Sequence, residues 1–489
     1  MLELTAETSV LGTHWTLLLA DDLDPEGSMK VIAPYEGELI ATVDTCGVAH
    51  VDRALQTAYR MYCDRDRWLP PYERTGVLER AARIMTKEHA HLAMLVSREA
   101  GKPLTDSHVE VARAIDTIRL AVNEIRTHAG EVIPMGVADP AQDRVAFTTH
   151  EPIGVVVAVS AFNHPLNLVV HQVASAVAAG CPVIVKPAPD TPLSCLRFVQ
   201  MLHQAGLPRS WAQVVTTAAI PVAEKLVTDD RVGMLSFIGS SKIGWMLRSK
   251  LSPGTRCALE HGGCAPVILA KDADRELALE AVLKGGFYHA GQVCVSVQRV
   301  YVPRGHVQEF AATLARRAGE LRLGDPTDSR TQVGPLIRPE EVDRVHSWVM
   351  EAVAEGATCL SGGRQRGRSG YECTVLLNPP STAKVSRLEV FGPVVCVYGY
   401  DVLDDAIDEA NSVPFAFQGA VFTRDLDLAM HVYRRLDASA VVHNDHSAFR
   451  TDGMPFAGLH QSGLGVGGIP FSIREMQVQK MLVMNPGKL

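Results

Sequence analysis

Residues 152–188, PIGVVVAVSAFNHPLNLVVHQVASAVAAGCPVIVKPA, decide the fold. Two short apolar runs, at 153–159 and 183–185, flank a stretch with helical periodicity that ends at Gly180. Strands that are buried on both faces form continuous apolar runs of this kind, and parallel strands need a crossover helix between them. The segment therefore predicts a parallel sheet that is covered by helices on both faces.

The same alternation of strands and helices extends on both sides of this segment. It continues through 212–250, and a second set begins near Pro266, so we predict an α/β fold with two parallel-sheet units. Before it, residues 29–45 alternate in the manner of strands, and 50–129 repeat apolar residues at helical spacing. Residues 130–150 alternate as strands around an Asp-Pro-Ala-Gln turn at 139–142, which predicts a projecting hairpin. The basic, Gly-rich stretch 361–370 is interpreted as a surface loop.

Composition and charge narrow the class of partner. The 489-residue chain has a formal net charge of −8, which provides no field to gather nucleic acid or an anionic membrane, so a small-molecule partner is expected. Its ten cysteines form no CxxC pair or zinc-type spacing, and the N-terminus lacks the features of a signal peptide, which favours a reducing cytoplasm. The HxxH at His443 and His446 lacks further ligands, so no metal is predicted.

Three residues in separate segments indicate acyl-transfer chemistry when they are taken together. Alone, Cys294 in GQVC is a buried small side chain, Glu260 in LEHGG is a solvated acid, and Asn163 caps a helix. Together they supply a thiolate that attacks an aldehyde, a carboxylate that activates water against the resulting thioester, and an amide that stabilises the oxyanion. Hydride would leave to a cofactor.

Two segments predict where that cofactor binds. Lys186 lies at a strand end, from which its amine can donate to ribose hydroxyls. The turn Phe237-Ile238-Gly239-Ser240 opens a helix, and helix N-termini receive phosphate groups well. No GxGxxG follows a strand, so the usual dinucleotide fingerprint is absent.

These segments, in this order, resemble the aldehyde dehydrogenase superfamily from about residue 31 to about residue 483. The resemblance implies that Cys294 is the nucleophile, that Glu260 is the general base, and that Asn163 forms the oxyanion hole with the backbone N–H of Cys294. It also implies NAD+ or NADP+ as cofactor. Glu389 in EVFGP would bind the nicotinamide ribose, and Phe391 would pack beside it.

The resemblance further implies three regions. Residues 1–129 and 151–262 would bind NAD(P), 263–460 would form the catalytic domain, and 130–150 with 461–489 would mediate assembly. A homodimer or homotetramer is the expectation.

Several positions depart from the family pattern. Pro189 stands where many NAD+-preferring members carry a glutamate, although the neighbouring Asp190 is compatible with NAD+, so neither cofactor is favoured. Gln172 stands where many members carry a lysine that is implicated in proton relay, and His261 stands where leucine is usual.

The predicted substrate is a small anionic aldehyde. By resemblance, His164 lies near the mouth of the site, and Arg113 and Arg450 wall the substrate tunnel. Two arginines can clamp a phosphonate, phosphate, sulfonate or carboxylate; alternatively, each makes an ordinary ion pair.

Sequence similarity also narrows the choice of reaction. Residues 162–188 and 444–465 resemble the branch that contains phosphonoacetaldehyde, lactaldehyde and non-phosphorylating glyceraldehyde-3-phosphate dehydrogenases. Phosphonoacetaldehyde is the leading candidate, and lactaldehyde, glyceraldehyde-3-phosphate or another short aldehyde is the alternative. A CoA-acylating dehydrogenase would not need Glu260, and a non-enzymatic structural protein would not need the intact trio.

Overall fold

The computed structural model describes residues 13–137 and 143–485. The first part of the chain forms a small three-stranded sheet, then four helices, then the two strands of a hairpin. Their bounds are β1 Thr13–Trp15, β2 Gly27–Ile32, β3 Leu39–Thr45, α1 Val48–Cys63, α2 Pro71–Lys87, α3 His89–Ala100, α4 Leu104–Thr127, β4 Val132–Ile133 and β5 Val145–Pro152.

The segment that decides the fold begins a regular alternation of strands and helices. The predicted strand, helix and strand of residues 152–188 are all present, and the alternation continues to Glu260. The elements are β6 Val155–Val159, α5 Asn167–Ala179, β7 Val183–Lys186, α6 Leu193–Gln204, β8 Ala212–Val214, α7 Ile220–Thr228, β9 Val232–Ile238, α8 Ser241–Arg248 and β10 Arg256–Glu260.

A second alternating set follows, as predicted. It comprises β11 Ala265–Leu269, α9 Arg275–Phe287, β12 Val297–Pro303, α10 Val307–Glu320, α11 Pro339–Ala354, β13 Thr358–Ser361, β14 Gln365–Arg366, β15 Gly370–Tyr371, β16 Thr374–Leu377, α12 Lys384–Arg387, β17 Val394–Tyr400, α13 Leu403–Asn411, β18 Phe415–Ala416, β19 Gln418–Phe422, α14 Leu426–Arg435 and β20 Ala440–His443. The chain then continues through β21 Leu459–His460, β22 Gly463–Leu464, α15 Ile469–Glu475 and β23 Gln477–Met484.

Two large sheets organise these elements. The first has the strand order β22-β10-β9-β6-β7-β8 and is parallel except for β22. The second has the order β13-β16-β17-β12-β11-β19-β20 and is parallel except for β13. Helix α5 packs on α2, α4, α15 and β7 and is buried at every position except Leu168. Its polar residues Asn167, His171 and Gln172 therefore find their partners inside the protein.

The hairpin forms a separate small sheet with the C-terminal strand. β5 pairs antiparallel with β4 and, along its whole length, with β23. The predicted turn at 139–142 lies outside the described residues, as do 1–12. Of the predicted assembly segment 461–489, β23 joins the hairpin, whereas β22 completes the first large sheet. The division into functional domains stays a prediction.

Two local predictions differ from the structure. The helical pattern of residues 74–101 is interrupted at Glu88, whose carboxylate accepts a hydrogen bond from Arg197 on α6 at 3.0 Å. A partner 109 positions away in the chain leaves no trace in local periodicity. The predicted surface loop at 361–370 contains a short hairpin, because β14 pairs with β15.

A buried carboxylate fixes the start of α5. Glu110 lies on the inner face of α4, and its Oε1 accepts the backbone N–H groups of Leu166 and Asn167 at 3.0 Å each. Its Oε2 forms an ion pair with Lys102, and both side chains are completely enclosed. A negative charge at a helix N-terminus is stabilising, so this pair holds the residues just before α5 against α4.

We expect Lys102→Met to destabilise the protein strongly, because Glu110 would keep a buried charge without a partner. The expected loss is about 3–5 kcal/mol, measured as a lower midpoint of urea unfolding by circular dichroism. Lys384→Met is the matched control, since its partner Glu351 and Lys384 itself are partly exposed, and it should cost about 0–1 kcal/mol. Equal midpoints for the two variants would contradict a special role for the buried pair.

Candidate active site

One cleft of about 890 Å³ opens at the carboxyl ends of β6, β7, β9 and β10, and it is also lined by α11 and by the loops that carry Cys294, Glu389 and Arg450. Crevices at the carboxyl ends of parallel strands are the usual ligand sites of α/β proteins. All twelve predicted site residues line this cleft, although they come from segments that are far apart in the sequence: Arg113, Asn163, His164, Lys186, Phe237, Gly239, Ser240, Glu260, Cys294, Glu389, Phe391 and Arg450.

Cys294 follows a tight turn. Three consecutive residues before it have left-handed backbone, with φ values of 48° at His289, 55° at Ala290 and 70° at Gly291. Burial raises the pKa of the Cys294 thiol to about 12, Arg450 opposes this rise, and Glu389 and Glu260 add to it. At neutral pH the thiol is therefore protonated and needs a base before it can act as a nucleophile.

Asn163 is held against that turn. Its Nδ2 donates to the backbone carbonyl of Gln292 at 2.9 Å, and the N-cap position of α5 is occupied by Leu166, so Asn163 does not cap the helix. Gln292 is itself anchored, because its Oε1 accepts the backbone N–H of Ile337 at 3.0 Å. An amide nitrogen carries two N–H groups, so one fixes the orientation of Asn163 while the other is available to a ligand.

Glu260 ends β10 inside the cleft. Burial raises the pKa of its carboxyl group, and the positive charge of Arg450 opposes that rise. A carboxylate with a raised pKa is a better proton acceptor than an exposed one, which suits a general base. The next residue, His261, supports the cofactor side of the cleft, since its Nδ1 lies 2.8 Å from the carbonyl oxygen of Gly239.

The other end of the cleft fits a dinucleotide. Lys186 is buried, which lowers its pKa to about 8, and its Nζ donates to the Pro187 carbonyl at 3.1 Å. Ser240 is the N-cap residue of α8, so the N–H groups of that helix face the region where a phosphate would bind. A Cβ on Gly239 would come within 2.9 Å of the Phe237 ring, so glycine keeps this turn open.

The remaining cofactor residues lie on the opposite wall. Burial raises the pKa of Glu389 to about 8, and its Oε1 has no hydrogen-bond partner among the residues that the structure describes. Gly262 passes so close that a Cβ there would overlap this carboxylate. Phe391 has a left-handed φ of 47° and contacts the edge of Phe162 at 5.7 Å between centroids. Oε1 of Glu389 is therefore free to accept a hydrogen bond, and Gly262 leaves space beside it. A ribose of NAD(P) carries hydroxyl donors and fits such a position.

Arg450 brings a half-buried positive charge to the part of the cleft that was predicted to receive the substrate. Its Cζ lies 3.5 Å from the centre of the Phe456 ring, and it forms no hydrogen bond or ion pair within residues 13–137 and 143–485. Burial lowers the pKa of Arg450, and the charges of Glu260, Asp452 and Cys294 oppose this. Its Nε is enclosed without an acceptor, so this group is available to an anion.

Arg113 differs from the predicted clamp. Its Nε and Nη2 donate to the two carboxylate oxygens of Asp452 at 3.0 and 2.7 Å. Two of its three guanidinium nitrogens are therefore used in an ordinary ion pair, which was the alternative to the clamp. Asp452 also lies 2.7 Å from Nε2 of His171. Although burial opposes it, these bonds hold the pKa of Asp452 far below its usual value. Arg113 therefore anchors the loop that carries Arg450.

His164 enters the cleft as a neutral ring. Burial lowers its pKa well below the usual value, and the nearby charges of Lys102, Arg113 and Arg450 lower it further. It can therefore donate or accept a hydrogen bond, but it adds no positive charge to an anion site at neutral pH.

Sequence reasoning missed three residues that build the site: Asp452, Gln292 and Glu110. Only Glu110 carried a signal, because it is a charge on the apolar face of α4. Two of the departures from the family pattern have a structural role, and the first, His261, supports the turn at Gly239. Gln172 joins β6 to β9, since its Nε2 donates to the carbonyls of Val159 and Ser236 at 3.2 and 3.0 Å.

Two further features of the described residues bear on membrane and metal binding. Among them, no helix combines the length and apolar character that a membrane span requires. In the same residues, no group of three or more His, Cys, Asp or Glu side chains is arranged to hold a metal ion. His443, from the HxxH motif, instead lies 3.0 Å from the backbone carbonyl of Thr423.

Comparison with known proteins agrees with this geometry. The model of the aldehyde dehydrogenase family matches residues 22–482. The chain is 36% identical to 3-sulfolactaldehyde dehydrogenase of Priestia aryabhattai over 94% of its own length and 95% of the relative's. It is 34% identical to lactaldehyde dehydrogenase of Methanocaldococcus jannaschii, covering 94% and 97% of the two chains.

A solved structure shows the same relationship. Glyceraldehyde-3-phosphate dehydrogenase GapN from Methanocaldococcus jannaschii, complexed with NADP, superposes with a TM-score of 0.89 at 34% identity, covering 94% of this chain and 99% of that one. The family resemblance and the predicted fold class are thereby confirmed. The chain belongs to the aldehyde dehydrogenase family and is an NAD(P)-dependent oxidoreductase that acts on aldehydes.

Proposed function

We propose that this enzyme oxidises a small anionic aldehyde to its carboxylate through a thioester on Cys294. The observation that carries the proposal is the meeting of Cys294, Glu260 and Asn163 with the unpaired guanidinium of Arg450 in one cleft. The first three provide the chemistry, and the fourth provides a reason to prefer an anion.

The reaction begins at the thiol. Its proton passes to a base, for which Glu260 is the carboxylate in place, and the sulfur then attacks the carbonyl carbon of the aldehyde. The oxygen becomes an oxyanion, which accepts the free N–H of Asn163 and the backbone N–H of Cys294. Because Asn163 is anchored on Gln292, this donor is oriented before the substrate arrives.

When bound, NAD(P)+ would supply the acceptor for the hydride that leaves the substrate carbon. Lys186, the N-terminus of α8 and Glu389 would hold the dinucleotide, and Phe237, Gly239 and Phe391 would shape the cleft around it. Loss of hydride leaves the acyl group on Cys294 as a thioester, and Glu260 releases the thiol proton to solvent. Glu260 then takes a proton from water, and the water oxygen attacks the thioester carbon. The C–S bond breaks, the acid product leaves as its carboxylate after losing a proton to solvent, and the proton on Glu260 returns to the Cys294 sulfur.

The substrate end favours an anion. Arg450 has unused donors, whereas the single free amino group of Arg113 and the neutral His164 can add hydrogen bonds. The relatives include enzymes named for 3-sulfolactaldehyde and glyceraldehyde-3-phosphate, both of which are anionic. Phosphonoacetaldehyde remains our leading candidate within this class, and 3-sulfolactaldehyde has the same charge chemistry. Lactaldehyde, named in another relative, is the neutral alternative.

Two other functional classes have less support. A CoA-acylating enzyme has no use for a base beside the thioester, and Glu260 occupies that place. A purely structural protein has no use for an enclosed, unpaired arginine beside an acid and a thiol, since such an arrangement costs stability.

We also propose that the enzyme is a cytoplasmic homodimer or homotetramer. The sheet of β4, β5 and β23 exposes apolar side chains along β23, among them Met481 and Leu482, each at least half exposed. Exposed apolar edge strands mark association surfaces. All ten cysteines are free, as expected in a reducing compartment.

Glu260→Gln should separate acylation from hydrolysis. We expect one equivalent of reduced cofactor per active site, formed slowly, and then steady-state turnover that is about 10²- to 10⁴-fold below wild type. Absorbance at the nicotinamide band measures both phases. Cys294→Ala is the control and should form no reduced cofactor at all. Full steady-state activity in Glu260→Gln would show that Glu260 is not the general base.

The raised pKa of Cys294 predicts its reactivity in the absence of cofactor. The folded pKa of about 12 means that the thiolate fraction should rise about tenfold per pH unit from pH 7 to 10. Alkylation of Cys294 by iodoacetamide, followed by mass spectrometry, should rise in the same way. Free cysteine, in the same buffers, should level off above about pH 8.5. An early plateau for Cys294 would show that the thiol is already ionised.

Arg450→Gln should reduce kcat/KM for an anionic aldehyde about 10- to 1000-fold more than for propanal. Arg450 also acts on Cys294, and that effect is common to both substrates, so the ratio of the two kcat/KM values is the informative quantity. Phosphonoacetaldehyde, 3-sulfolactaldehyde and lactaldehyde complete the panel. Arg113→Ala, which removes a group already engaged by Asp452, should change the ratio less. An unchanged ratio in Arg450→Gln would reject anion selection.

A further inference from the structure

A pair of opposite charges bridges the cofactor end of the cleft. Asp190 follows β7 in the first large sheet, and Arg338 directly precedes α11 beside the second. The Nη1 of Arg338 lies 2.8 Å from Oδ2 of Asp190, and both residues line the cleft together with Lys186. The bridge therefore crosses from one wall of the cleft to the other.

Positive and negative charges lie close together around the bridge. Arg338 is shared, since its Nη2 also lies 3.2 Å from Glu341, which in turn binds Arg344 at 2.7 Å. The charges of Glu340 and Glu341 act on Asp190 as well. Without Arg338, the carboxylates of Asp190 and Glu341 would lose the positive charge between them, and they would repel an additional anion. With it, the carboxylates are partly neutralised.

The bridge is also easy to break. The side chains of Arg338 and Asp190 are 43% and 33% exposed, and ion pairs in contact with solvent contribute little stability. A guanidinium binds a phosphate dianion through charge-assisted, forked hydrogen bonds that are stronger than a pair with one exposed carboxylate.

Asp190 and Arg338 lie at the carboxyl end of a parallel sheet, where dinucleotides place the adenosine ribose. In dinucleotide sites at the carboxyl end of a parallel sheet, an acidic residue accepts the 2′-hydroxyl of NAD, whereas an arginine accommodates the 2′-phosphate of NADP. This chain has one of each, bound to one another. We propose that Arg338 breaks its ion pair with Asp190 and binds the 2′-phosphate when NADP+ is present. When NAD+ binds instead, Asp190 accepts a hydrogen bond from the 2′-hydroxyl. The enzyme thus uses both cofactors.

The proposal rests on NAD(P) as the cofactor, and it is tested by equilibrium binding without any aldehyde, so a failure of the anionic-substrate proposal leaves it unaffected. Isothermal titration calorimetry of the full-length enzyme would compare NADP+ with NAD+, and 2′,5′-ADP with ADP. Arg338→Ala should weaken NADP+ and 2′,5′-ADP about 10- to 100-fold, and it should leave NAD+ and ADP within about threefold. Asp190→Asn should tighten NADP+, because it removes the competing carboxylate.

Arg304→Ala is the matched control, since Arg304 forms a comparable pair with Asp401 at 2.7 Å on an exposed surface. It should change none of the four affinities. Equal weakening of NAD+ and NADP+ in Arg338→Ala would show that the bridge only holds the cleft together, and it would overturn the proposal. Wild-type enzyme that binds NAD+ but not NADP+, or a control that behaves like Arg338→Ala, would overturn it too.

Discussion

The carboxylate of Glu110 is the constraint on which the geometry of the active site depends. It accepts hydrogen bonds from two backbone N–H groups at the start of α5 and forms an ion pair with the ammonium group of Lys102. Both side chains of this ion pair are fully buried. Asn163 and His164 lie in the few residues just before that helix, so their distance from the Cys294 turn is set by a charge on a different helix. A buried ion pair of this kind adds little net stability, but it permits few alternative arrangements.

Charge within the cleft is arranged by pairing. Arg113 and Asp452 neutralise one another, and Asp452 ties the loop of residues 444–458 to α4 and α5. Arg450 on the same loop stacks on Phe456 and forms no hydrogen bond or ion pair with the residues that the structure describes. Burial lowers the pKa of His164, the cations around it lower it further, and the ring is therefore neutral. As a result the substrate end has one uncompensated positive charge, and the catalytic end has a thiol and an acid that are both held in their protonated forms more strongly than in water.

Much of this was predictable from the sequence. Continuous apolar runs such as those of β6 and β7 have few alternatives to a buried parallel sheet, and the Cys294, Glu260 and Asn163 motifs identified the cleft. The partners of charged residues were not predictable. Arg113 meets Asp452 339 positions later, and no local pattern distinguishes that outcome from a free arginine. The hydrogen bond from Arg197 on α6 to Glu88, at the break between α2 and α3, is a long-range contact of the same kind.

The position of Arg450 has a consequence for discrimination. The enclosed Nε of that residue has no acceptor among the residues that the structure describes, and a buried donor without an acceptor costs about 1–3 kcal/mol. If Arg450 receives the substrate, as proposed above, a neutral ligand that fills the cleft would leave that cost in place, whereas an anion would remove it. Selectivity would then come from the charge of the substrate, with no need for a steric clash.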